Sequence, residues 1–126
     1  MPEHKAPHPT NAELAILTVL WRRGPSTVRD VHGALCEPVG YTTILKLLQI
    51  MTDKGLVTRD ESARTHVYRA TLSETTTQGE LVSDLIDRAF GGSPVALIVQ
   101  ALSATPASSE EIDEIRRLLD ERKGDT

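Results

Sequence analysis

Thr42, Thr43, Lys46, Gln49 and Ile50 fall within one stretch, YTTILKLLQIMTDK. Their functional groups suit the edges of DNA bases. A Gln amide pairs with adenine in the major groove and a Lys ammonium with guanine. An aliphatic group or a Thr methyl can touch the C5-methyl of thymine. Hydroxyls at a helix start bind phosphate with the help of the free backbone amides there. At 3.6 residues per turn, Thr42, Thr43, Gln49, Ile50 and Asp53 lie within roughly 60° of Lys46, and Ile44, Leu48 and Met51 lie on the opposite side. The same groups also suit an ordinary solvated helix face, so the helix by itself leaves both readings open.

The residues beyond the helix shift the balance. Gly55 is a helix stop of the left-handed kind. Two short β-prone runs, Val57 to Glu61 and His66 to Ala70, flank the connection Ser62-Ala63-Arg64-Thr65, which is short enough for a hairpin. Arg64 sits at its tip, with Arg59 and Arg69 on the strands, while Asp60 and Glu61 oppose an anionic partner there. A helix, a glycine stop and a hairpin with a basic tip, in that order, form the second half of a winged helix-turn-helix. The start of the preceding helix, with Thr27 and Arg29, and Tyr41 at the head of the base-reading helix are the further candidates for holding DNA.

The remaining elements must position this pair. Residues 1–9 carry three prolines and read as a flexible arm. Thr10 and Glu13 form a capping box that opens a helix with Leu14, Leu17, Leu20 and Trp21 at helical spacing. Gly24-Pro25 stops it. Ser26 and Thr27 give an extended segment or a cap. A second helix runs from about Val28 to Leu35, Pro38 to Gly40 is the turn, and the third helix runs from about Thr42 to Lys54. Trp21 is expected in the core, near the end of the first helix. Thr71 to Thr77 is polar and reads as a joint. A fourth helix covers roughly Thr75 to Phe90 and stops at Gly91-Gly92. A fifth starts with Ser93 as cap and Pro94 in the first turn. A sixth is opened by a Ser108–Glu111 capping box and ends near Arg122 and Lys123, whose charges suit that end of the helix dipole. The expected fold is mainly α with a small β-hairpin wing: a winged helix-turn-helix over 10–70, then a three-helix dimerisation domain over 71–126.

The net charge of −4 conflicts with DNA binding only while the chain is taken as a whole. Residues 1–70 hold nine Lys/Arg against seven Asp/Glu, and residues 71–126 hold five against eleven. A locally basic face can meet phosphates while an acidic second half faces elsewhere. The one cysteine, Cys36, excludes a disulfide framework within a single chain and fits a reducing compartment. No apolar run is long enough to span a bilayer, and the N-terminus lacks the apolar core of a signal peptide. These features lead us to expect a cytoplasmic protein without membrane insertion.

The second half reads as a dimer element. Leu81, Leu85, Ile86 and Phe90 share the fourth helix. The fifth, with Leu97, Ile98 and Leu102, is apolar almost all round and must be buried on all sides. Ile112, Ile115 and Leu119 add an apolar stripe on the sixth. A segment of this length barely supplies its own core, so a second copy is the natural cover. The alternative is packing against the winged domain in a compact monomer.

Other chemistry finds little support. His32 and Cys36 stand four apart on the second helix, but two ligands do not make a structural zinc site. No phosphate loop, HExxH motif or nucleophile elbow is present. No catalytic residues, metal or cofactor are expected, and the chain does not read as an enzyme.

The runs AELAILTVLWRRGPSTVRDVHGAL, YTTILKLLQIMTDKGLV and ARTHVYRA, together with LIDRAFGGS and SSEEIDEIRRLLDE further on, resemble the BlaI/MecI penicillinase-repressor family over roughly residues 10–122. The resemblance implies a homodimeric winged-helix repressor on a dyad operator of double-stranded DNA. It also implies relief by a sensor signal or proteolysis, with a membrane sensor-protease as a further partner. It carries the recognition role onto Thr42, Thr43, Lys46 and Gln49, and the wing role onto Arg64 and His66. Three departures bear on this. Ile50 stands where many relatives have Arg, which bears on operator sequence or affinity. Gln100-Ala101 stands where the best-studied relatives are cut at an Asn-Phe bond, which puts cleavage there in question. Cys36 stands alone, which excludes copper sensing by C-terminal cysteine pairs. A protein-interaction adaptor without specific DNA binding and a ligand-gated regulator are the competing functions.

Overall fold

The computed structural model describes residues 8–35 and 38–124. Most of the expected arm, and Cys36 with it, lies outside the described residues. The elements run α1 (Asn11–Arg23), α2 (Val28–Ala34), α3 (Tyr41–Lys54), β1 (Val57–Asp60), β2 (Val67–Ala70), α4 (Glu74–Ala89), α5 (Pro94–Ala104) and α6 (Ser109–Gly124). The chain divides within α4, after Leu81, into two compact units.

The first unit is built on helix ends the sequence specifies locally. Thr10 Oγ1 accepts the Glu13 N–H at 3.2 Å, and Glu13 Oε1 accepts the Thr10 N–H at 2.9 Å, so the expected capping box opens α1. α2 opens with a second box, in which Thr27 Oγ1 and the Asp30 carboxylate each accept the other residue's backbone N–H at 3.1 Å. α3 ends at Gly55, whose φ of 82° and ψ of 11° are left-handed. That conformation is open to glycine without a Cβ penalty. Ile16, Leu17 and Leu20 of α1, Val28 and Val31 of α2, and Ile44, Leu48 and Met51 of α3 close on Leu56, Val57 and Tyr68 to form the core. Trp21, expected in that core, is half-buried at its edge, where its indole N–H donates to the Leu72 carbonyl at 3.0 Å.

The hairpin is antiparallel, with Val57 opposite Ala70 and Asp60 opposite Val67. Glu61 and His66, expected in the strands, lie in the loop. Asp60 Oδ1 accepts the Ser62 N–H at 2.9 Å, and this local turn takes the backbone off the ladder. Ser26 forms an isolated bridge to Tyr68, so the segment between α1 and α2 acts as a minimal third strand while Thr27 serves as the cap.

In α4, Ser73 Oγ accepts the Thr76 N–H at 3.1 Å at the start. At its end the Phe90 and Gly92 N–H groups both reach the Ile86 carbonyl, at 3.1 and 3.0 Å, with Gly91 and Gly92 at positive φ. Ser93 Oγ accepts the Ala96 N–H at 3.1 Å to cap α5. Ser108 and Glu111 form the expected box at α6. From Val82 to Gly124 no residue is buried. Among the described residues, no single helix is long and apolar enough to cross a membrane.

Candidate nucleic-acid interface

α3 presents the two faces its spacing requires. Ile44, Leu48 and Met51 are buried, and Thr42, Thr43, Lys46, Gln49, Ile50 and Asp53 are exposed. Ile50 stands 39% exposed, an aliphatic side chain among polar neighbours on the outward face. The helix therefore offers solvent a hydroxyl, an amide, an ammonium and an apolar group within about two turns.

Beside this face lies a cleft of about 460 Å³ lined by Thr27, Val28, Arg29, Tyr41, Leu45, Arg64, Thr65, His66 and Tyr68. Three separate stretches of chain meet there: the start of α2, the start of α3 and the hairpin tip. Five of the expected contact residues, Thr27, Arg29, Tyr41, Arg64 and His66, converge on it. Thr42, Thr43, Lys46, Gln49 and Ile50 do not line it; Thr43 borders a smaller apolar groove on the opposite flank of α3, with Ala12, Ala15 and Leu47. Thr65 and Leu45 line the cleft without being among the residues expected from sequence. The signal for Thr65 is its place between Arg64 and His66.

The charges on the wing divide into used and available. The Arg59 guanidinium binds the Glu61 carboxylate at 2.6 Å. Its pKa is raised by a hydrogen bond to Tyr68 and then by Glu61. Asp60 is held below the ordinary carboxylate range by its bonds to Ser62. Arg59, Glu61 and Asp60 thus shape the hairpin through bonds to one another and to Ser62, while both acids stay exposed near the tip. Among the described residues, Arg64 has no carboxylate partner and Arg29 forms no ion pair. Asp30 is lowered mainly by the backbone and hydroxyl of Thr27 and meets Arg23 at 3.7 Å. His32 packs edge-on against Tyr41 at the head of α3, with ring centroids 6.0 Å apart. Among the described residues, no group of three His, Cys, Asp or Glu could hold a metal ion.

The α4–α6 residues expected at a dimer interface differ in exposure. Leu81, Ile86, Phe90, Leu97, Ile112 and Ile115 are half-buried, and Leu85, Ile98, Leu102 and Leu119 are exposed. Val82, Val95, Val99 and Leu118 are also exposed.

A helix with a polar outward face, held beside a basic hairpin and a cleft, defines a winged-helix DNA-binding transcriptional regulator. The penicillinase repressor family profile matches residues 9–121, and the chain belongs to that family, whose members are transcriptional repressors and not enzymes. It is 24% identical over 121 residues to the penicillinase repressor of Bacillus licheniformis, covering 94% of each chain. It is 34% identical over 113 residues to the transcriptional regulator BlaI of Mycobacterium tuberculosis, covering 86% of this chain and 80% of that one. Among solved structures, it resembles a transcriptional regulator from Thermotoga maritima with a TM-score of 0.49 and 23% identity, over 91% of this chain and 74% of that one.

Proposed function

We propose that the chain is a homodimeric repressor that binds a dyad operator. α3 enters the major groove of each half-site, where Lys46, Gln49 and Ile50 meet base edges and Thr42 and Thr43 meet the backbone or thymine methyls. Arg29, Arg64, His66, Tyr41 and Thr27 hold the flanking phosphates. One observation carries this reading: two cations, an imidazole and a phenol from three distant segments converge on one cleft beside the outward face of α3. Phosphate contacts fix register, and base contacts fix sequence.

The dimer rests on the second unit. α5 carries Val95, 68% exposed, beside exposed Ile98, Val99 and Leu102. An apolar helix with no buried residue calls for a cover, and a second copy provides one of matching chemistry. Two linked half-site contacts then give avidity that a monomer lacks. Relief comes from a sensor signal, with a membrane sensor-protease as its source, acting on a repressor that resides in the cytoplasm.

Footprinting on the DNA upstream of its own gene tests the dyad. The expected result is two protected half-sites, one helical turn (about 10 bp) or a multiple apart. Protection of a single isolated half-site would contradict the dyad.

A further inference from the structure

We propose that Glu13 and Lys54 form a latch that sets the axial position of the recognition helix, and that operator selectivity depends on it. The inference rests on α3 being the base-reading helix.

Glu13 is 2% exposed. Its Oε1 accepts two bonds, the Thr10 backbone N–H at 2.9 Å and the Lys54 ammonium at 2.7 Å. One carboxylate oxygen therefore closes the start of α1 and ties down the last residue of α3. Each charge sits at the helix end that favours it: the carboxylate in the first turn of α1, the ammonium in the last turn of α3.

The rest of α3 lacks a directional hold of this kind. Its N-cap is Gly40, which makes no side-chain capping bond. Its inner face is held by Ile44, Leu48 and Met51, and apolar burial is non-directional. Lys46 and Gln49 need their hydrogen bonds placed to within a few tenths of an ångström of a base edge. A charge-assisted bond at the helix end supplies the directional restraint. Lys54 is thereby a positioning residue and not a phosphate contact.

The experiment uses Glu13→Gln, Lys54→Met and the double variant, with Lys54→Arg as the conservative control. Gln retains an acceptor for the Thr10 N–H, and Met retains most of the Lys54 stem, so both α1 and the core persist. Affinity for the operator and for a random duplex is measured on folded protein, with circular dichroism as the check. Each single charge-removing variant should lose about tenfold in the operator-to-random ratio. The double variant should lose no more than either single one, and Lys54→Arg should retain the ratio. Folded variants with the wild-type ratio would overturn the latch. An equal loss on both duplexes, with a shallower salt slope in Lys54→Met alone, would instead make Lys54 a phosphate contact. A wild-type chain without sequence preference would overturn the operator reading, and the latch would fall with it.

Discussion

Ser26 and Tyr68 exchange both backbone hydrogen bonds, Ser26 N–H to Tyr68 carbonyl at 2.9 Å and Tyr68 N–H to Ser26 carbonyl at 2.7 Å. This pairing fixes β2, and with it the wing, to the link between α1 and α2. The Tyr68 side chain is fully buried, and its hydroxyl lies close enough to Arg59 on the opposite strand to help raise the guanidinium pKa. Tyr68→Phe removes that hydroxyl while leaving the ring. It should lower stability, measured by urea denaturation, and weaken operator affinity through the wing. No change in either would show that Arg59 is held by Glu61 alone.

Lys46 and Gln49 stand on the exposed face of α3. Lys46→Ala and Gln49→Ala should each weaken operator binding by about 1–3 kcal/mol, with the dimer intact by sedimentation. If both bind the operator like wild type, α3 does not read the bases.

Leu97 lies half-buried on α5 among exposed apolar neighbours. Leu97→Asp places a charge where a partner copy should cover the helix, and leaving it unpaired is costly. The variant should sediment as a monomer and lose most of its operator affinity. An unchanged sedimentation coefficient would remove α5 from the interface.

Burial raises the Glu13 pKa, but the Lys54 bond and charge and the bonds to Thr10 outweigh it, so the carboxyl lies below its ordinary value. A carboxyl lowered on folding stabilises the native state above its unfolded pKa. That stability is lost as pH falls through the folded value. Wild type should therefore be more stable than Glu13→Gln at neutral pH. The gap should narrow once pH drops below the usual glutamate range of about 4.3. A gap in melting temperature that stays constant down to acid pH would show that the charge of Glu13 is not what stabilises the fold.

Local features are legible in the sequence. The boxes at Thr10–Glu13 and Ser108–Glu111, the Ser93 cap and the Gly55 stop each depend on residues within one turn, as does the partition of α3 into Ile44, Leu48 and Met51 against Lys46 and Gln49. The Thr27–Asp30 box is only half legible, because Asp stands where Glu or Gln is the usual signal. Ser26–Tyr68 and Glu13–Lys54 join residues that no periodicity relates, so they appear only once the chain is folded. The shortened strands have a local cause in the Asp60 side chain. Its bond to Ser62 competes with the ladder, which strand propensity does not register. At the candidate site, the residue types are readable, but the convergence of Arg29, Tyr41 and Arg64 on one cleft is not, because it depends on how three segments pack.

The most direct test of DNA recognition is fluorescence anisotropy of the protein against its own upstream DNA and a scrambled duplex of equal length, at two salt concentrations. Recognition by α3 and the wing predicts at least ~10³-fold tighter binding to the specific duplex, and affinity that falls steeply with salt as phosphate counterions are released. Equal, weak binding to both duplexes would contradict it.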